Sequence, residues 1–186
     1  MLFKIIKSDL SRYINPVMHR FEWNEPSWTV VVLYRIARRI RILPIWLLPI
    51  KIILNLVVVP LYAFMSIFVG VSIPRSVEIG RGLRVCHFGA IIIGVNTKIG
   101  TNFTIHQGCT IGAKSSFNDF VTIGDDVTMC ANSMIIGNVN IGNNVTVGAN
   151  SLVMTDVPDN SIVVGMPARI IPKKKKFKDY SKGYFE

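Results

Sequence analysis

The sequence predicts a mainly β protein, a parallel β-helix of hexapeptide repeats carrying an N-terminal apolar helical segment. Three observations predict it. An apolar residue, usually Ile or Val, recurs every six positions at Ile73, Ile79 and Val85, slips by two, and resumes at Ile93, Ile99, Ile105, Ile111, Ile123, Met129, Ile135, Ile141, Val147 and Val153. Three places after this ruler stand Gly82, Asn96, Asn102, Gly108, Asn132, Asn138, Asn144 and Asn150, the residue types that accept a left-handed backbone at a tight corner. One place further on come Val77, Leu83, Cys109, Val127, Ser133, Val139, Val145 and Ser151, small or apolar side chains that fit a narrow core. A fixed six-residue period makes each repeat one side of a triangular prism, with roughly eighteen residues closing a coil. A sandwich of short strands would instead require alternation with turns about every eight to twelve residues, which this stretch does not follow.

Taken in order, residues 1–70 form the helical segment, residues 71–171 the prism and residues 172–186 a basic tail. Residues 1–70 hold nine Lys or Arg against three acids, residues 71–169 six of each, and residues 170–186 six against two, so a neutral prism lies between basic ends. The first basic end is interleaved with long apolar runs, the pattern of an anionic membrane surface, and no nucleic-acid partner is expected. Residues 1–7 offer only a short apolar patch, so no cleavable leader is expected and the chain should stay in the cytoplasm.

A helical segment from about residue 27 to 70, broken near Pro44 and Pro49, accounts for the apolar stretch. Its uncharged run, residues 52–70, is just long enough to cross a bilayer. Asn55 and Pro60 interrupt that run, and Arg35, Arg38, Arg39, Arg41 and Lys51 before it would leave the prism outside. Two placements stay open and are mutually compatible. The segment either contacts the cytoplasmic face of the inner membrane, or packs in an oligomer over the open end of the prism and its unpaired strand edges.

Cys86, Cys109 and Cys130 form no CxxC and no paired framework, which points to a reducing compartment and to core or site roles. Of the histidines, His19 lies away from the repeat, and His87 falls two places after Val85, where a prism turns and side chains point outward. The two-residue slip returns Ile105 above Val85, which sets His106 one strand spacing from Cys86 and gathers two imidazoles in one neighbourhood. An open metal site needs about three such ligands; with two His in the repeat, no metal is expected.

The run His87-Phe-Gly-Ala-Ile-Ile-Ile-Gly through Ile105-His-Gln-Gly-Cys-Thr-Ile-Gly112 resembles, without a gap, the serine acetyltransferases of the hexapeptide-repeat, left-handed β-helix acyltransferase superfamily. The likeness extends to Ile79-Gly-Arg-Gly82 before it and Val164-Gly-Met-Pro-Ala-Arg169 after it, covering roughly residues 71–171. Leu33-Tyr-Arg-Ile-Ala-Arg38 with its basic, apolar continuation looks more like the O-acetyltransferases of capsule, exopolysaccharide and lipopolysaccharide gene clusters. The resemblance implies acetyl transfer from acetyl-coenzyme A to a hydroxyl, with His87 in the place of the family's general base. Imidazole suits that role because a neutral hydroxyl is a poor nucleophile until its proton is taken. Backbone N–H groups at the Gly112 turn are the expected oxyanion donors.

The chain also departs from that pattern. Ser72 stands where the family has an Asp paired with the catalytic His, and Cys86 where it has an Asp that helps hold the amino-acid substrate. An orienting carboxylate is therefore expected to be missing and free serine is disfavoured; Ser72, Cys86 and His106 are assigned to the acceptor side. The family's second active-site His has no counterpart in residues 114–122, and His106 either replaces it or is a surface residue. Ala113, Ala131 and Ala149, eighteen apart, are expected to stack along one edge as a groove for the pantetheine arm; Ala131 and Ala149 also match the family's coenzyme-contacting alanines. Gly112, Lys114 and the run from Lys173 complete the expected donor side. Because the alanine edge and the His87 edge are expected to differ, a homotrimer with sites between subunits is implied. The resulting expectation is an O-acetyltransferase using acetyl-coenzyme A on a sugar hydroxyl of a surface polysaccharide or its lipid-linked precursor. The alternatives are a serine O-acetyltransferase of cysteine biosynthesis and a non-catalytic structural β-helix.

Overall fold

The computed structural model describes residues 2–15, 19–114 and 119–173. Helices α1 (Leu2–Ser11), α2 (Ser27–Arg41) and α3 (Leu48–Val69) precede the strands. The first face of the prism stacks β1 (Val71–Ser72), β4 (Ile91–Ile93), β7 (Thr110–Gly112), β10 (Met134–Ile136) and β13 (Leu152–Val153). The second stacks β2 (Glu78–Ile79), β5 (Thr97–Ile99), β8 (Val121–Ile123) and β11 (Val139–Ile141). The third stacks β3 (Arg84–Cys86), β6 (Thr104–His106), β9 (Thr128–Met129), β12 (Thr146–Val147) and β14 (Ser161–Gly165), and β15 (Ala168–Pro172) returns antiparallel on β14. Four three-sided coils are complete, and β13 with β14 begins a fifth.

Every ruler residue is buried, and so is every residue expected four places after it, with Phe103 the bulkiest of the inner set. The register shows where the period changes. Val71 pairs with Ile91, twenty residues on, because of the two-residue slip. Thr97 pairs with Val121, twenty-four on, because residues 113–120 add six residues without adding a side. Met134 pairs with Leu152 at the plain eighteen.

Two corners use left-handed residues. Gly82, Asn102, Asp126, Asn144 and Asn160 turn the second face into the third, and Gly108, Asn132 and Asn150 turn the third into the first, all at positive φ. Asn96 and Asn138 depart from the expectation. They lie between the first and second faces, where Gly137 takes the positive φ (112°) and Asn138 uses its side-chain oxygen to accept the Phe120 N–H at 3.3 Å. At the second-to-third corner, side-chain oxygens of Asp125, Asn143 and Asp159 accept the N–H groups of Thr101, Asp125 and Asn143 at 2.6–2.8 Å. That ladder satisfies amide groups the strand pairing does not reach.

Helix α2 closes the open base of the first coil. Its residues Ser27, Val30, Val31, Tyr34 and Ala37 are buried at helical spacing, and its polar tips take the exposed strand carbonyls: Ser27 donates to Val85 (2.8 Å), Tyr34 to Val77 (2.7 Å) and Arg38 to Ser76 (2.9 Å). Arg35 reaches the Ile79 and Gly80 carbonyls and pairs with Asp9 of α1 (2.7 Å), whose carboxylate also accepts the Gly82 and Leu83 N–H groups. Both ions are buried, so each depends on the other and on these backbone partners. Helix α1 lies inside the helical segment expected over residues 1–70, and Leu2, Ile5, Ile6, Asp9 and Leu10 carry its helical period.

The chain breaks after α2 as expected, with a 3-10 turn at Ile45–Leu47 following Pro44. Pro49 differs from the expectation, since it sits in the first turn of α3 and starts that helix, where a missing N–H costs nothing. Pro60 also differs, being inside α3 without ending it; it is solvent-exposed, so the freed carbonyl it leaves is not stranded. Gly70 ends α3 in the left-handed conformation (φ 70°), and a side chain there would meet Gly89 Cα at 3.0 Å.

Candidate active site

The third-to-first corner of the first coil is the turn from His87 to Ala90. His87 has φ 64° and presents its imidazole outward, as expected. The segment before α2 reaches this turn through several contacts on the end of β3. Tyr13 accepts the Val85 N–H (3.0 Å), Ser27 donates to the Val85 carbonyl, and Glu22 pairs with Arg84 (3.1 Å). Those anchors place Glu25 against His87. One carboxylate oxygen accepts the His87 backbone N–H at 2.7 Å, and the other lies 3.4 Å from His87 Nδ1. The expected lack of an orienting carboxylate is thus corrected: it comes from sixty-two residues earlier in the chain, at a position no periodicity marks.

A carboxylate accepts only, so Glu25 favours the tautomer with the proton on Nδ1 and leaves the Nε2 lone pair free. The His87 side chain is 65% exposed and Glu25 only 18%, the disposition of a reactive group held by a supported partner. His106 pairs in register with Cys86, as expected, and its ring centroid lies 6.4 Å from that of His87. Its Nδ1 donates to the Met129 carbonyl at 2.9 Å, so its Nε2 is also an acceptor. Burial chiefly lowers the His106 pKa, with His87 and Arg84 adding to the effect against the Met129 bond; the ring is neutral at pH 7. Burial raises the Cys86 pKa and keeps it a thiol.

Ser72 is elsewhere. It points outward from β1 into a groove of about 360 Å³ beside α3, lined also by Tyr62, Ser66 and Arg75. The alanines divide between two edges. Asn150 donates its N–H to the Ala131 carbonyl, Asn132 to that of Gln107 and Gly108 to that of Gly89, so Ala149, Ala131, Gln107 and the His87 turn form one column along the third-to-first corner. Ala113 lies at the first-to-second corner, because the six extra residues of 113–120 use up one repeat. The expectation that all three alanines share an edge, and that this edge differs from that of His87, is corrected on both counts.

Gly112, Ala113 and Lys114 do lie on an edge away from His87. Gly112 pairs with Ile136, and among the described residues a Cβ built on it would have nothing within 4 Å. Ala113 and Lys114 are exposed. Lys173 is on neither edge: its ammonium donates to Asn144 at 2.9 Å, on the second-to-third corner. Lys174, Lys175 and Lys176 lie outside the described residues.

No protein-family model matches the chain. A serine acetyltransferase of Bacillus pumilus is 36% identical over 111 residues, 59% of this chain and 51% of that protein. The chain therefore spans about half the length of that relative. In three dimensions a serine acetyltransferase of Neisseria gonorrhoeae superposes with a TM-score of 0.77 at 28% identity, covering 94% of this chain and 68% of the other. The same neisserial protein in complex with serine gives 0.75 at 28% identity, covering 90% and 68%.

The chain has the left-handed β-helix fold of the serine acetyltransferases it resembles.

Within this serine acetyltransferase-like prism, sequence reasoning missed two residues. Glu25 carries no local signal, since only the packing of α1, α2 and the intervening segment on β3 brings it to His87. Gln107 adjoins His106 in sequence, which was a usable hint. Its side-chain oxygen is buried without a hydrogen-bond partner among the described residues, an unmet acceptor on the residue that follows His106. The groups that converge on this corner are thus one exposed imidazole with a carboxylate behind it and a second, neutral imidazole. Together they can take a proton from a hydroxyl and orient the molecule that carries it.

Proposed function

We propose that the chain transfers an acetyl group from acetyl-coenzyme A to an acceptor hydroxyl, with His87 as general base. The observation that carries this reading is the Glu25–His87 pair at the corner of a serine acetyltransferase-like prism. His87 takes the hydroxyl proton at Nε2 as the oxygen attacks, and hands it on to the departing sulfur. Glu25 holds the ring by Nδ1 and stabilises the imidazolium formed in between. His106 offers an acceptor atom at Nε2 that orients the acceptor molecule, with Cys86 as a neutral wall.

The donor side fits an extended thioester arm. Gly112 leaves open space among the described residues where a side chain would stand, Ala113 is small, and Lys114 is an exposed cation at the same corner, suited to phosphate. Bound there, acetyl-coenzyme A supplies the activated carbonyl. Ala131 and Ala149 line the His87 edge with small side chains. Since Gly112, Ala113 and Lys114 lie on another edge than His87, one copy supplies the donor corner and its neighbour the base, which a closed threefold ring achieves at three equivalent interfaces.

Serine is the first acceptor in this reading. The similar proteins carry it in their names; Glu25 is engaged with both oxygens on His87, so an ammonium group on the acceptor would have to be held by another group than Glu25 or Cys86. A second reading, a sugar hydroxyl of a surface polysaccharide or its lipid-linked precursor, is favoured by the uncovered apolar helix α3.

The test is release of coenzyme A thiol by the purified protein and by His87→Ala, with serine and with extracted surface glycans. Serine-dependent release lost in His87→Ala supports the first reading, and glycan-dependent release the second. Release that survives His87→Ala, or none with any acceptor, defeats the assignment.

A further inference from the structure

Helix α3 leaves an apolar surface that acetyl transfer does not use. Leu56, Val57, Leu61, Phe64, Ile67 and Phe68 are exposed, and only 11% of the most apolar window of Ile45–Val69 is buried. Tyr62 and Val69, with the half-buried Val58 and Met65, mark the side that packs on α2 and the first coil. With Ile52 and Leu54, which are exposed as well, the exposed residues occupy the remaining arc, roughly 200° at about 100° per residue. A single neighbouring helix covers a stripe of only about 100°, so a helix of a second copy would leave half of it in water.

The charge around this arc has one sign. Between Glu25 and Glu78 there is no Asp or Glu, whereas Arg35, Arg38, Arg39, Arg41, Lys51 and Arg75 fall in that interval. Arg35 is engaged by Asp9, but Arg39 and Arg41 are exposed at the end of α2. Lys51 donates to the Arg41 carbonyl at 2.9 Å, which joins the basic end of α2 to the start of α3. Trp46 is exposed at the turn between them, and Trp favours the boundary between hydrocarbon and headgroups. A wide apolar arc with a cationic, acid-free border and a Trp at its end complements an anionic lipid surface.

We propose that α3 docks the protein on an anionic bilayer, lying in the interfacial layer with Arg39, Arg41 and Lys51 among the lipid phosphates. The docking has a consequence for the site. Helix α3 ends at the His87 turn, where the Val69 carbonyl accepts the Gly89 N–H at 2.9 Å, so a docked helix sets His87 at the membrane surface. The docking itself does not rest on the acetyl-transfer reading, and it stands or falls separately from thiol release.

The experiment is co-sedimentation of the full chain with vesicles of phosphatidylcholine alone and of phosphatidylcholine mixed with phosphatidylglycerol. The protein should pellet with the mixed vesicles and be released by high salt and alkaline wash. Each basic residue near an anionic surface contributes ~1 kcal/mol, or about fivefold in partitioning, so Arg39→Gln with Arg41→Gln should weaken binding about 25-fold. Leu56→Glu with Phe64→Glu should abolish pelleting while the circular dichroism spectrum stays that of the parent. Protein that stays in solution with both vesicles overturns the proposal, as does equal pelleting with both. Retention through alkaline wash overturns it in favour of a crossing helix. A lipid-free change of oligomeric state in Leu56→Glu with Phe64→Glu overturns it in favour of an interface between copies.

Discussion

Replacing Glu25 by Gln removes one negative charge 3.4 Å from His87 Nδ1 while keeping the size of the side chain and an oxygen for the His87 N–H. Two unit charges at that distance attract by about 1 kcal/mol in water and about 5 kcal/mol at an effective dielectric near 20. His87 is 65% exposed, so the loss should lie near the lower bound, about 1.5 kcal/mol, which is about tenfold in kcat. Initial rates of thiol release against donor and acceptor concentration measure it. Glu25→Asp retains the charge at a longer reach and should fall between parent and Glu25→Gln. A parental kcat in Glu25→Gln, with acceptor KM also unchanged, would refute the reasoning. A raised acceptor KM at constant kcat would move Glu25 from orienting the base to holding the acceptor.

Four further predictions concern stability, the donor corner and pH. Asp9→Ala leaves the buried Arg35 without a counter-charge and the Gly82 and Leu83 N–H groups without their acceptor; a loss of about 3–5 kcal/mol should appear in urea denaturation. Gly80→Ala places a Cβ 2.5 Å from the Gly100 carbonyl oxygen and should cost about 1–3 kcal/mol. Gly112→Ala meets nothing within 4 Å among the described residues, so it should keep the parental melting temperature while raising the KM for acetyl-coenzyme A. His106, whose pKa burial lowers from the ordinary 6.5, takes up its proton more readily in the unfolded chain. Its stabilising effect is therefore complete above about pH 6.5 and declines as pH falls toward the lowered folded value; the urea midpoint of His106→Gln should fall less steeply with acid than that of the parent.

The prism was legible because its period is local and repeated. The ruler residues and the residues four places on all went inside, and the slip before Ile91 correctly put His106 over Cys86. The corners were only partly legible, since Asn96 and Asn138 share the residue type of the left-handed positions but turn a corner that Gly137 serves instead. The alanine column failed for a countable reason: residues 113–120 lengthen one coil by six, so a spacing of eighteen from Ala113 spans two sides rather than three. Helix α1 fell inside the expected helical segment, but its bounds and its attachment through the buried Asp9 were not legible, because Asp9 meets Arg35 and the Gly82 and Leu83 N–H groups only in the folded chain.

The sequence by itself determined which side chains enter the core, how many residues each side takes, and that His87 stands outward on a corner, because a six-residue repeat constrains each position through its immediate neighbours. Only the tertiary structure decided which edge each small residue joins and what stands behind His87. Edge membership depends on the total length of chain wound between two points, and Glu25 reaches His87 through Tyr13, Glu22 and Ser27 binding the end of β3. Contacts between segments some sixty to seventy residues apart leave no period to read.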